Sequence, residues 1–247
     1  MSIVSAELVA YNAVNQPVTD GATGGGAIDP KSRVVFVQLT APAVVTFQSD
    51  NAGDTGNVVL TGRDVSGNIV SETLALGGTV ETASVNTYGR LHSVRMAADA
   101  LGAVTVRQGM AGSTVATIPA GERGFAALFQ RSTSDVTTQV RYDKLFFKNA
   151  TVSGLTLFSA AIQLAVDATG DYAIGLAAAV NDSATIANRL TAPAGVSFVG
   201  LADPVDLPGG GDLAAGDAIG VWIEQTLAAN EGAHNVSITA VLAGQTV

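Results

Sequence analysis

The two histidines, His92 and His234, are the first candidates for acid–base or metal chemistry. They lie far apart in the sequence, and neither belongs to an HExxH motif that would hold a zinc ion. A Ser-His-Asp triad would need one of them beside a serine, but the chain has no G-x-S-x-G elbow. We therefore expect both to be surface or strand-end residues, and the sequence predicts no catalytic residue.

Carboxylates that could bind a hard cation lie in two loops. Hard cations prefer several carboxylate and carbonyl oxygens on a bent loop. The acidic loop 203–217 supplies four aspartates around the glycines at 209–211, namely Asp203, Asp206, Asp212 and Asp217. The loop at 50–54 is a weaker candidate. Neither spacing matches a known calcium motif, so we expect these aspartates to accept turn hydrogen bonds, and we predict no metal site.

The glycine-rich segment 21–32 is a near miss for a phosphate-binding loop. It ends in Lys31-Ser32, but Pro30 stands where the motif requires glycine and removes a backbone N–H. A strand pattern follows in place of a helix, so we expect no nucleotide and no other cofactor.

Trp222 is the chain's one tryptophan and lies between Val221 and Ile223. Carbohydrate-binding modules stack sugars on exposed aromatic rings. The apolar neighbours favour a buried position in a late strand instead.

Composition excludes further classes of function. The net charge of −9 disfavours nucleic acid as a partner. The chain lacks cysteine, so disulfides and thiolate metal sites are excluded. Its first residues lack the features of a signal peptide, and no apolar run is long enough to cross a membrane. We expect a protein that folds in a reducing cytoplasm without a membrane partner.

The order of strands and turns predicts an all-β fold. Glycine and β-branched residues are abundant, and charged residues make up only 13%. Short apolar runs recur every 8–12 residues, as in sandwiches and barrels. We predict two antiparallel β-sandwich domains in tandem, jelly-roll or Ig-like, at residues 31–120 and 121–247. Residues 1–30 are predicted to form a flexible N-terminal arm, with an edge strand as the alternative.

Local patterns give more specific predictions. Residues 58–74 predict a hairpin around Gly67-Asn68, and residues 34–39 predict a strand. Residues 159–166 are alanine-rich but short, which favours a strand. A single helical turn is predicted near residues 183–189, with Asp182 or Ser183 as its N-cap. The joint between the domains is predicted at Pro119-Ala120-Gly121.

Basic residues are concentrated near the predicted joint and form a block of Arg123, Arg131, Arg141, Lys144 and Lys148. Beyond Lys148 the only basic residue is Arg189. The block is either part of a mixed solvated surface or a docking face for an acidic partner.

Strand-and-turn patterns recur in both halves of the chain. The first half contains residues 64–68 leading into a strand and then residues 82–107; the second contains residues 144–149, 182–183, 188–193 and 220–223. These patterns resemble those of structural proteins from tailed-bacteriophage virions, of the capsid decoration or accessory type. The resemblance covers residues 33–242 loosely and carries over no functional residue. It implies β-sandwich modules that coat a capsid or lie in the neck or tail, usually as oligomers.

Together these features favour a non-enzymatic virion protein that is assembled in the host cytoplasm. The leading hypothesis is a capsid decoration or cement protein, most simply a homotrimer, whose partner is the major capsid protein or another virion protein. The alternatives are a tail, neck or fibre component, a carbohydrate-binding adhesin module and an enzyme.

Overall fold

The computed structural model describes residues 3–130, 136–201, 203–231 and 238–246. Within these ranges the chain forms seventeen β-strands and one 3-10 turn (Ser5–Glu7), and no α-helix. The predicted all-β fold is confirmed.

The strands, in chain order, are β1 (Leu8–Asn15), β2 (Gly24–Arg33), β3 (Val45–Ser49), β4 (Asn57–Arg63), β5 (Ile69–Ala75), β6 (Thr82–Ala83), β7 (Arg90–Met96), β8 (Val104–Gln108), β9 (Ser113–Ile118), β10 (Gly124–Ala126), β11 (Gln139–Asn149), β12 (Phe158–Asp167), β13 (Tyr172–Val180), β14 (Thr185–Ile186), β15 (Val205–Asp206), β16 (Ala218–Leu227) and β17 (Ile238–Gln245).

The chain folds into two compact units. Unit 1 combines residues 1–29 with residues 128–247, and unit 2 comprises residues 30–127. Unit 2 is therefore inserted into unit 1, which differs from the predicted tandem of 31–120 and 121–247. The predicted joint at Pro119 is a turn inside unit 2, where the Glu122 N–H donates to the Pro119 carbonyl.

Residues 1–29 belong to the body of unit 1, in contrast to the predicted arm. Strand β1 pairs antiparallel with β11, from Leu8 opposite Asn149 to Asn12 opposite Leu145. It lies between β11 and β2 in the sheet order β13-β16-β11-β1-β2, and β14 pairs with β2. The physical reason is apolar burial, because Tyr11 and Ala13 are enclosed in the structure.

The second sheet of unit 1 has the order β15-β12-β17. Strand β12 confirms the predicted strand at 159–166. Its alternate residues Ala160, Ile162 and Leu164 are fully buried, as the period of two in a strand requires.

Unit 2 is a sandwich with one core between two sheets. One sheet has the order β10-β7-β4-β5, and the end of β2 pairs with β10; the other has the order β6-β3-β8-β9. Both sheets contribute fully buried side chains to a single cluster, among them Phe47, Leu60 and Val106. Burying each such side chain contributes about 1.5–3 kcal/mol, which offsets part of the conformational entropy lost on folding.

The predicted hairpin is confirmed as β4–β5. One carboxylate oxygen of Asp64 accepts the N–H groups of Ser66 and Asn68, which closes the turn. Gly67 has a φ of 82°, a conformation that favours glycine.

Two other local predictions are wrong. The strand expected at 34–39 is absent, because β2 ends at Arg33 and only the Val37 N–H bonds to a neighbouring carbonyl, that of Val115. The helical turn expected near 183–189 is replaced by β14, whose two residues pair with Gly24 and Gly25.

Candidate functional site: the buried ion pairs of unit 1

Strand β11 carries three buried charged side chains, Arg141, Asp143 and Lys144. Arg141 and Asp143 lie on one face of the strand and Lys144 lies on the other, because successive side chains alternate. Buried charges are costly unless they are paired, so the partners of these three groups decide their role.

Asp143 is paired with Arg189. The Nε and Nη2 atoms of Arg189 donate to the two carboxylate oxygens of Asp143 at 2.9 and 3.0 Å, and both side chains are shielded from water. The Phe129 N–H donates to Asp143 Oδ2 at 2.5 Å. Burial raises the pKa of Asp143, and the Arg189 guanidinium opposes that rise.

Arg189 also holds two distant pieces of backbone. Its Nη1 donates to the Gln130 carbonyl at 3.0 Å, and its Nη2 donates to the Pro17 carbonyl. The guanidinium lies over the Phe129 ring, 5.8 Å from its centroid. One side chain therefore joins residues 17, 129–130 and β11.

A second ion pair lies beside the first. Arg141 donates from Nε and Nη2 to the Asp20 carboxylate at 2.8 and 2.9 Å. The hydrogen bond from Arg141 lowers the pKa of Asp20, although burial acts in the opposite direction. Backbone hydrogen bonds reinforce the arrangement. The backbone N–H of Arg189 donates to the backbone carbonyl of Asp20, and the backbone carbonyl of Arg189 accepts from the N–H of Tyr142.

Lys144 is enclosed on the opposite face of β11. Its Nζ donates to Asp182 Oδ2 at 2.5 Å and to the Gly26 and Ala184 carbonyls at 3.1 and 3.3 Å. The rings of Phe146 and Trp222 lie 4.8 and 5.3 Å from Nζ. Burial lowers the pKa of Lys144, and Asp182 partly offsets this. The three acceptors match the three donors of an ammonium group, so Lys144 serves to fasten β2 and residues 182–184 to β11.

These contacts revise the basic block predicted near residues 123–148. Arg141 and Lys144 cannot form a docking face, because both are buried against carboxylates. Arg123 pairs with Asp99 at 2.6 Å within unit 2. Arg131 lies outside the described residues.

Sequence reasoning missed Arg189 and Asp143, although one signal was present. Arg189 is the only basic residue after Lys148, in a segment rich in acids. A lone arginine among acidic residues is expected to form an ion pair with one of them. Its partner, Asp143, lies 46 residues away, so the spacing of residues does not identify it.

The remaining candidates from the sequence are the two histidines and Trp222. His92 is buried in β7, so a surface or strand-end position is wrong for it, and His234 lies outside the described residues. Trp222 is buried in β16 beside Tyr142 and Ile186, as the sequence predicts.

Aspartates of the two loops accept hydrogen bonds from parts of the chain that are distant in the sequence. In the acidic loop, Asp217 accepts from the Asn181 side chain at 2.8 Å, and Asp212 accepts from the Ser159 N–H at 3.3 Å. Among the described residues, no group of three or more His, Cys, Asp or Glu side chains is placed to hold a metal ion.

Asp54 closes the other loop. Its carboxylate accepts the N–H groups of Leu101 and Gly102 and the Ser49 hydroxyl. Burial raises the pKa of Asp54, but these hydrogen bonds outweigh it and hold the pKa below its ordinary value. The loop is thus fixed by the protein's own donors.

A shallow, open depression of about 410 Å³ lies on unit 2, lined by Gln48, Ser49, Asp50, Thr79, Ala103, Thr105 and Arg107. Its polar groups bind one another: Arg107 donates to Gln48 at 2.9 Å, and the Ala103 N–H donates to Asp50 at 2.8 Å. It has no aromatic ring on which a sugar could stack.

Comparisons with protein families, with curated proteins and with solved structures find no match to this chain. The described part of the chain contains no helix with the length and apolar character required to span a membrane.

Proposed function

We propose that this chain is a non-enzymatic virion structural protein that binds a phage head and stabilises its shell. The observation that carries the proposal is the ion-pair network of unit 1. Asp143, Arg189, Arg141 and Lys144 are buried, and each is paired with an opposite charge.

The network supports a mechanical role because of what it connects. Its members bind backbone or side chains from residues 17–26, 129–130 and 182–189, which are distant in the sequence. Each connection is a charge-assisted hydrogen bond, about twice as strong as a neutral one, and several of these bonds must break together before the connected segments separate. A protein that reinforces a shell needs this resistance to local opening.

The surface supports a role based on contact area. Several valines are exposed to solvent in place of charged residues, including Val35, Val37, Val80, Val85 and Val152. Many copies of a weak apolar contact give strong binding to a repetitive surface, because each bound contact raises the effective concentration of the next. The resemblance to phage virion proteins agrees with this arrangement.

The candidate sugar-binding residue of the carbohydrate-binding alternative, Trp222, is buried. Trp222 is 1% exposed and packs beneath β14, so its ring is not offered to a sugar. We therefore retain the virion assignment over the adhesin.

The test uses heads and tails purified separately from the phage that encodes the chain. The purified protein is mixed with each, and binding is measured by co-sedimentation and by the melting temperature of the heads. Saturable binding to heads with a raised melting temperature is the expected result. Binding to tails alone, or to neither particle, would overturn the assignment to the head.

A further inference from the structure

Strand β17 is an open edge of unit 1. It pairs with β12 on one side, from Leu242 opposite Ile162 to Ile238 opposite Asp167. No strand of the described chain pairs with its other side, since β17 ends the order β15-β12-β17. An open edge presents unpaired N–H and C=O groups that can accept another extended strand.

Natural proteins protect such edges with charge, proline or bulges, and β17 has none of these. Its sequence, ITAVLAGQ, contains no charged residue and no proline. The two register shifts in the pair place their additional residues in β12, so β17 itself is regular. By contrast β5, an edge strand of unit 2, carries Glu72 at its centre.

The sheet beside this edge is also uncharged over its central residues. Exposed Val241 pairs with Gln163, and Ala243 pairs with Ala161. A chain with a net charge of −9 repels its own copies over most of its surface. The β17 edge is a place where two copies can meet without apposing carboxylates, so a second copy of this chain can bind there in spite of the net negative charge.

We propose that two copies of the chain join by antiparallel pairing of β17 with β17. A two-fold axis perpendicular to the sheet sets one residue opposite its own symmetry copy and keeps exposed side chains on the same face. When the two-fold axis is centred on Val241, this residue lies opposite Val241 of the other copy, and Thr239 lies opposite Ala243 of the other copy. The three-stranded sheet then continues across both protomers.

The biological role of this dimer rests on the proposed function, because the dimer would be the form of the protein that binds the phage head. It gives a dimer as the basic unit, in place of the trimer favoured by the sequence. Self-association is measured without phage particles, so it can fail while head binding succeeds, and the reverse.

The first test is a cross-link, since the chain contains no cysteine. Side chains directly opposite in an antiparallel pair lie close enough for a disulfide. Val241→Cys should form a covalent dimer under mild oxidation. The matched control is Thr73→Cys, an exposed residue on the edge strand β5 of unit 2, which should cross-link about tenfold more slowly or not at all.

The second test measures mass against concentration by light scattering. Val241→Lys places two ammonium groups opposite each other and should weaken the dimer about tenfold or more, whereas Thr73→Lys should leave it unchanged. Circular dichroism checks that each variant is folded. A wild-type chain that is monomeric at every concentration would overturn the pairing, as would equal cross-linking of the two cysteine variants.

Discussion

The Arg189 guanidinium and the Asp143 carboxylate face each other as two parallel hydrogen bonds, Nε to Oδ1 at 2.9 Å and Nη2 to Oδ2 at 3.0 Å. Arg189 simultaneously binds the carbonyls of Pro17 and Gln130. Pro17 precedes the inserted unit 2 in the chain and Gln130 follows it. The pair thus fastens together the two pieces of unit 1 that the insertion separates.

Asp143→Asn should destabilise the protein by about 3–5 kcal/mol, because it leaves the Arg189 charge buried without a partner. The isosteric side chain preserves shape, so the loss reports the charge together with one acceptor oxygen, which the amide replaces by an NH2 group facing N–H donors. Urea unfolding, followed by the fluorescence of Trp222, measures the free energy of unfolding.

Asp99→Asn is the control for that measurement. Asp99 pairs with Lys31 and Arg123 at distances of 2.7 and 2.6 Å, but all three side chains are about 40% exposed. Solvent screens such pairs, so the effect should be much smaller than that of Asp143→Asn. Equal losses in the two variants would contradict a special role for the buried pair.

Asp54 should make stability depend on acid pH. Its pKa in the folded protein lies below the ordinary value of about 4, because hydrogen bonds to its carboxylate outweigh the effect of burial. A lowered folded pKa contributes stability above pH ~4, and this is lost as the pH falls through the folded pKa. The advantage of wild type over Asp54→Asn should therefore be larger at pH 6 than at pH 3. Unfolding free energies at both pH values test this, and an advantage independent of pH would refute it.

The parts of the fold that were predicted are those with local causes. The β4–β5 hairpin follows from two strand patterns around one turn, and Trp222 is flanked by apolar residues. Each of these two signals is contained in a short stretch of sequence. A sequence read in short windows therefore contains them.

The parts that were missed depend on distant residues. The sequence predicts a flexible arm over residues 1–30, whereas Gly25 lies in β2 and is required there because the Trp222 ring occupies the space of a side chain. The Arg189 and Pro17 partners are 172 residues apart. Composition indicates neither relationship, since each exists only after the sheet has formed.

Trp222→Ala should lower the free energy of unfolding by about 3–5 kcal/mol, because it opens a large cavity in the core. The ring packs with Tyr142 and Ile186 and lies over the Lys144 ammonium. Since the variant lacks tryptophan, circular dichroism replaces fluorescence in the urea titration. A fully stable variant would show that the ring is not part of the core.

Gly25→Ala should be destabilising by about 2–4 kcal/mol, from overpacking and from a left-handed backbone. A Cβ at Gly25 would lie 2.5 Å from the Trp222 ring, and the φ of Gly25 is 80°. Gly209→Ala is the matched control, because its φ is 77° but the space around it is open. The difference between the two variants reports the close contacts at Gly25, with the Trp222 ring and with the Ala184 carbonyl oxygen at 2.8 Å, and no difference would contradict them.

Unit 2 should fold when residues 30–127 are expressed alone. Its core cluster is drawn entirely from these residues, and the pairing of β10 with the end of β2 uses Ser32 and Arg33, which the fragment retains. A single cooperative transition in urea, with the same midpoint by fluorescence of its one tyrosine, Tyr88, and by circular dichroism, is the expected result.

The fragment 128–247 should not fold by itself. It lacks β1, which lies between β11 and β2 in the sheet, and it lacks Asp20 and the Pro17 carbonyl, which bind Arg141 and Arg189. Arg141 and Arg189 would then be left with unmet hydrogen bonds in the interior, a cost that the remaining strands cannot offset. Adding a peptide of residues 1–29 should restore a cooperative transition and β-sheet circular dichroism. Cooperative unfolding of 128–247 without the peptide would mean that the first strands are dispensable to unit 1.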